Sequence, residues 1–186
     1  MPTPPEILSL ARYNLGQTYF LDFAADHPAM QALQAELEEN ITPEALPEIP
    51  SRAITAQVQV TKRFQDLYQT YVIVQGEIKA TYAAQCVRCL ETFAQPLQTS
   101  FKACFLPAAL EKEEEFQDLT DILIDQEECA LYFYTQNKLN LAELMHEQLF
   151  LAVPAFPLHD PHCLGLCPQC GANRNRESCP HGPKGV

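Results

Sequence analysis

An α+β fold, an antiparallel sheet of about five strands packed by helices and followed by a zinc-ribbon-like cysteine tail, is what the sequence predicts, and three observations predict it. Apolar residues change from helical spacing to strict alternation at Ala53 and return to helical spacing at Asn140. The alternating stretch is cut into consecutive strand-like runs by short turns, the pattern of an antiparallel meander. From His159 onward cysteine and histidine replace the apolar pattern, so metal rather than a large core is expected to hold the chain end.

The opening residues through Asn14 are too rich in proline and polar groups to assign, and QTYFLDFA follows as a first strand. HPAMQALQAELEEN reads as a helix capped at or near Asp26, with Pro28 in its first turn and Met30, Leu33 and Leu37 on one stripe. Three prolines in TPEALPEIP forbid its continuation and make a linker. Ile54, Ala56, Val58 and Val60 then alternate with polar residues, as in a strand with one wet face. YQTYVIVQGEIKATYAAQC is a long strand, expected to kink or bulge at Gly76, and FAQPLQTSFKACFL is the next. The acidic EKEEEFQD reads as a solvated, partly disordered loop, and DILIDQEECALYFYTQNKLN supplies one or two more strands. Asn140 caps a second helix, with Glu143 in the capping-box position. Its apolar stripe is Leu141, Leu144, Met145 and Leu149, and it stops at Pro154.

This organisation divides the chain into an N-terminal strand, helix and linker (1–49), an α+β domain (50–158) and a Cys/His-rich tail (159–186). No basic or apolar leader opens the chain, so a reducing, cytoplasmic setting is expected rather than a disulfide scaffold. The run LFLAVPAFPL contains two prolines and is about half the length a membrane span needs, so no membrane association is expected.

The formal net charge of −12 argues against a generic nucleic-acid binder. Its distribution is uneven. Residues 1–49 carry eight acids and one base and residues 106–128 nine acids and one base, whereas 50–105 carries six bases against three acids. Arg52, Lys62, Arg63, Lys79 and Arg88 in that segment are the candidate contacts to RNA or another partner, set against the simpler reading that they solvate a sheet face.

The chemistry-bearing residues are the cysteines. Cys86 and Cys89 form one C-x-x-C pair, for which metal is preferred over a redox dithiol because Arg88 lies inside it and the pair falls between antiparallel strands. Cys167, Cys170, Cys179 and His181 form a Cys3His set, and His159, His162 and Cys163 precede it. Two arrangements fit: two zinc ions, or one zinc shared by Cys86, Cys89, Cys167 and Cys170. The spacing leaves both open. Cys104 and Cys129 lie alone in strand-like runs and read as buried structural thiols. A catalytic zinc motif is not completed, since His146-Glu147 meets Phe150 where H-E-x-x-H needs histidine, and no H-x-E precedes CPQC. No nucleophile triad, phosphate loop or dinucleotide fingerprint is present either, and a non-enzymatic protein is expected.

Three segments in order, CVRCLETF, LNLAELMHEQLFLAVPAFPLHDPHC and GLCPQCGANRN, resemble the YceD-like family, the large ribosomal RNA subunit accumulation proteins. The family's form is C-x-R-C-L-E in a sheet, a helix ending in L-x-x-P-x-x-P-L, then C-x-G-L-C-P-x-C-G-x-N-x-N, and the resemblance spans about residues 50–181. It carries over Cys86, Cys89, Cys163, Cys167, Cys170 and Cys179 as the motif cysteines. His159 and His181 stand where many relatives have cysteine, and imidazole keeps the ligand capacity. The resemblance implies a role in accumulation or processing of large-subunit ribosomal RNA. The partner it implies is that RNA or the large subunit in assembly, or a basic ribosomal protein held by the acidic segments.

Overall fold

The alternation beginning at Ala53 sets the architecture, because a run of inward side chains on every second residue can be buried only by pairing strands in one register. A computed structural model describes residues 3–46, 49 and 51–181. Strands β3 (Ala53–Gln65), β4 (Gln69–Gln85) and β5 (Thr92–Pro107) form the expected meander, and β2 (Thr18–Phe23) pairs with β3 at its edge. The six-stranded sheet has the order β2-β3-β4-β5-β7-β6, with β6 at Asp121–Ile124 and β7 at Glu127–Tyr134. A separate two-stranded ribbon pairs β1 (Ile7–Ser9), which the sequence left unassigned, with β8 (Lys138–Asn140).

One neighbour pair departs from the antiparallel expectation: β7 runs parallel to β5. The cause is local. A two-residue turn at Asp125–Gln126, both with positive φ (53° and 69°), folds β6 back on β7 as a type I′ hairpin, and β7 rather than β6 takes the inner place beside β5. The chain needs a crossover to bring β7 in parallel, and the acidic segment supplies it. That segment is solvated as expected except at Phe116, which is buried beside Leu110 and packs edge-on to Tyr68.

Parity along the strands separates two apolar clusters. Ile54, Val58, Val72, Val74, Ala103 and Phe105 face the side covered by α1 (Pro28–Leu37), α2 (Leu141–Ala152) and the β1–β8 ribbon, where Met30, Leu33, Leu144, Met145 and Leu149 complete the main core. Tyr71, Ile73, Cys104 and Leu106 face the other side and pack under the crossover with Cys129 and Leu131. Cys104 and Cys129 are buried here, and burial pushes the Cys104 thiol up to about 12, as befits a small hydrophobe.

No bulge occurs at Gly76. Pairing is one-to-one along all of β4, with Gly76 opposite Val58 on one side and Phe101 on the other. A β-carbon there would lie 2.6 Å from the Gln57 carbonyl oxygen and 2.9 Å from the Phe101 ring, so glycine is required by close approach rather than by a bend. Pro96 sits in β5 on the stretch that β7 does not reach, where a missing N–H costs no ladder bond.

Both helices occupy the segments their periodicity marks. Asn140 caps α2 through its side-chain oxygen, which accepts from the Glu143 N–H at 3.1 Å. The cap of α1 is His27, not Asp26: Nδ1 accepts from the Ala29 N–H at 3.1 Å and Nε2 lies 2.9 Å from the Pro4 carbonyl, which fixes the Nε2–H tautomer. Glu38, at the end of α1, is buried and receives Arg52 and the β4 amide of Ala83 at 2.8 Å, tying the helix to the sheet. Of the proline-rich stretch expected as a linker, residues 47, 48 and 50 lie outside the described residues, as do 182–186 of the tail. No helix among the described residues is long and apolar enough to cross a membrane.

Candidate metal centres

The turn between β4 and β5 is the first C-x-x-C. Cys86 directly follows the last residue of β4, its N–H donates to the Glu91 carbonyl at 2.9 Å, and the Leu90 N–H returns to the Cys86 carbonyl at 2.9 Å. Closing so tight a turn puts Leu90 in the left-handed region at φ 61°. The tail repeats the geometry. The Cys167 N–H donates to the Ala172 carbonyl at 2.8 Å, the Gly171 N–H to the Cys167 carbonyl at 2.8 Å, and Gly171 has φ 74°. Two knuckles of the same hydrogen-bond pattern result, one with leucine and one with glycine at the strained position. Each turns its two sulfurs to one side.

These knuckles do not face each other. Cys86 and Cys89 meet His159 and Cys163, which follow α2, while Cys167 and Cys170 meet Cys179 and His181. In each group the donor atoms all lie within 4.8 Å of one another. Of the two arrangements open to the sequence, the geometry has the paired one. The chain reaches the first group because Pro154 and Pro157 end α2 and turn it back, and the Pro157 carbonyl accepts from the Val87 N–H at 3.0 Å.

Donor spacing fits a tetrahedral ion. Corners of a tetrahedron with ~2.3 Å metal–sulfur bonds are about 3.7 Å apart. Cys86 Sγ and Cys163 Sγ are 3.8 Å apart and Cys170 Sγ and Cys179 Sγ 3.4 Å, while Nδ1 of His159 lies 3.3 Å from Cys89 Sγ and Nδ1 of His181 3.7 Å from Cys179 Sγ. None of these sulfurs is at disulfide distance. Burial raises the Cys86 thiol, yet hydrogen bonds from His159 and from the backbone N–H groups of Cys89 and Arg88 outweigh it and hold it at about 5. Burial with two neighbouring sulfurs pushes Cys89 up to about 11. Backbone N–H groups of Cys170 and Gln169 hold Cys167 at about 6. Cys86 and Cys167, the first cysteine of each knuckle, are thus favoured as thiolate, the form that binds metal.

The two groups differ in exposure. Cys86, Cys89 and Cys163 are buried against Phe93, Leu158 and Leu166, whereas in the second group Cys170 and His181 are exposed. His162 belongs to neither group.

The basic residues of the 50–105 segment do not form one face. Arg52 is bound to Glu38, the Lys62 ammonium donates to the Leu10 carbonyl at 3.0 Å, Arg63 pairs with Asp125, and Lys79 pairs with Glu77 at 3.0 Å. Arg88 points into the metal loop, donating to the carbonyls of Cys163 at 3.0 Å and Pro161 at 3.3 Å. Its visible work is to brace the first centre. Sequence reasoning did not single out Asn175, whose side-chain N–H reaches Cys163 Sγ at 3.4 Å, nor the buried Glu38. The asparagine was in view within GANRN, but nothing in spacing distinguishes a turn asparagine from one aimed at a sulfur.

A sheet carrying two Cys3His groups, each on a C-x-x-C knuckle, defines an α+β protein with two sets of thiolate and imidazole donors that could each hold a metal ion. A family model described as large ribosomal RNA subunit accumulation protein YceD matches residues 74–185, a span that contains both knuckles and all eight candidate ligands. The chain belongs to that family. No solved structure matches it.

Proposed function

We propose that this protein is a non-enzymatic assembly factor of the large ribosomal subunit that supports accumulation of its ribosomal RNA (23S), with two structural zinc ions holding the chain end to the sheet. The family match over residues 74–185 carries the reading. Zinc is the metal of choice for mixed thiolate and imidazole donors in a tetrahedron, and cysteine-rich sets of four leave no position for a reacting water. Cysteines outside disulfide distance suit a reducing compartment, the cytoplasm.

The test is the ratio of large- to small-subunit ribosomal RNA in cells carrying Cys86→Ser with Cys89→Ser, beside metal content and thermal stability of the purified variant. A fall in the ratio together with loss of metal is expected. A normal ratio with a demonstrably unfolded variant removes the ribosomal role.

A second reading is favoured by one observation. The five cations that are candidate contacts to RNA or another partner are each engaged within the chain, in a protein of net charge −12. An acidic surface of this kind suits a basic ribosomal protein, with the effect on RNA indirect. Pull-down from lysate with and without ribonuclease separates the readings: particle association lost on ribonuclease treatment supports direct docking on RNA, and one basic protein retained supports the adaptor.

A further inference from the structure

The two metal groups are joined by a short piece of structure that neither group requires for its own donors. Residues 164–166 connect Cys163 of the first centre to Cys167 of the second, and residues 173–175 fold back against them. The Leu164 N–H donates to Asn175 Oδ1 at 2.8 Å, the Arg174 N–H donates to the Gly165 carbonyl at 3.0 Å, and Leu166 bridges Asn173. On its other side the same connection is held to the first knuckle by the Leu166 N–H on the Arg88 carbonyl at 3.0 Å. Gly165 is pinned between them, since a β-carbon there would lie 3.0 Å from that carbonyl.

This ladder ends on a sulfur. The Asn175 side-chain amide donates to Cys163 Sγ at 3.4 Å and to Asn173 Oδ1 at 2.8 Å, so its orientation is fixed by one acceptor while it serves the other. A donor aimed at a ligand sulfur stabilises the thiolate and orients it for metal. Asn175 is carried by the loop between Cys170 and Cys179, whose geometry the second centre sets.

We infer that Asn175 is a positioning residue that couples the two metal centres, so that metal in the exposed second centre strengthens metal binding in the buried first one. The inference rests on the metal-centre reading above. Coupling of this kind is reciprocal: metal in the first centre strengthens the second by the same factor.

The probe is Co2+ alone, added to the full chain at buffered free concentrations. First-centre occupancy is read as protection of Cys86 and Cys163 from alkylation, and its ligand field from the sulfur-to-cobalt charge-transfer band. Asn175→Leu, which loses donor and acceptor, is expected to weaken the first centre about tenfold, the low end of the range for groups that orient metal ligands. The band should move to longer wavelength as the sulfur loses its donor. Asn175→Asp keeps the acceptor for Leu164 and loses the donor, and should weaken the centre at least as much. Opening the second centre by Cys170→Ser with Cys179→Ser should reproduce the loss without touching a first-centre ligand. Combined with Asn175→Leu, it should add little, because both changes break one connection. Wild-type affinity and band in Asn175→Asp, or losses that multiply in the combined variant, overturn the coupling. Failure of the wild type to take Co2+ into thiolate coordination overturns the metal-centre reading and the coupling with it, whereas two bound ions without any Asn175 effect overturn the coupling alone.

Discussion

Gly76 and Leu90 hold backbone positions that each favour glycine, for opposite reasons. At Gly76 the backbone is ordinary strand and the space is absent, so Gly76→Ala is expected to cost about 1–3 kcal/mol, the range for forcing a methyl into a packed site, measured by chemical denaturation. At Leu90 the space is open and the backbone is strained: the side chain is 55% exposed at φ 61°. Leu90→Gly is therefore expected to raise thermal stability by up to about 1 kcal/mol, as relief of a left-handed non-glycine residue allows; a loss would show that the leucine side chain packs in solution. Glu38 is the buried carboxylate among the described residues. Glu38→Ala strands Arg52 and the Ala83 amide, and a loss of about 3 kcal/mol is expected, at the low end for breaking a buried pair because Arg52 remains partly solvated. Denaturation beside the Arg52→Ala variant checks it. Charge-reversal experiments on RNA docking should for the same reason avoid Arg52 and use Arg63 and Lys79, whose pairs are exposed.

Among the elements, those with a clean period were legible and those fixed by long-range pairing were not. The stripe Leu141, Leu144, Met145 and Leu149 marks α2 and its burial together, and Asn140 marks its start; Asn140→Ala should cost about 1 kcal/mol, the usual loss for a side-chain cap, in a thermal melt. The alternation from Ile54 to Val60 marks β3 with the correct face inward. The parallel placement of β7 was not legible, because alternation reports which face of a strand is wet and says nothing about which neighbour it chooses. The acidic segment misled for a related reason. Its charges are solvated as composition demands, but Phe116 alone, among five acids in eight residues, anchors it over the second cluster. The cap of α1 is legible only to within a residue of Asp26, because a histidine ring nitrogen accepting a backbone N–H has no compositional signal. At the metal centres, C-x-x-C spacing names ligands, but their grouping depends on how α2 is turned back by Pro154 and Pro157, which spacing alone does not contain.

At the scale of the molecule, metal removal should act unequally. Binding free energy at a structural zinc site is on the order of 10 kcal/mol, more than so short a tail can gain from apolar burial. Chelation is expected to abolish amide-exchange protection over residues 159–181 while β3, β4 and β5, which have their own core, keep theirs. Unchanged protection in the tail would remove the metal argument for it. The centre buried against Phe93 and Leu158 should surrender metal more slowly than the one containing exposed Cys170, which a time course of release into a coloured chelator resolves into two phases.

The placement of the first centre also has a meaning for the unfolded chain. Cys86 and Cys163 are 77 residues apart in sequence, and the segment between them holds β5, β6, β7, β8 and α2. An ion that ties these two points closes a loop of that length and deprives the denatured ensemble of the corresponding freedom, about 4 kcal/mol if it acts as a covalent cross-link of equal span does. The second centre, whose sulfurs Cys170 and Cys179 are nine residues apart, closes only a small ring and removes far less. An ion held at the base of the meander would therefore act as a long-range staple, linking the two ends of the segment that carries β5, β6, β7, β8 and α2.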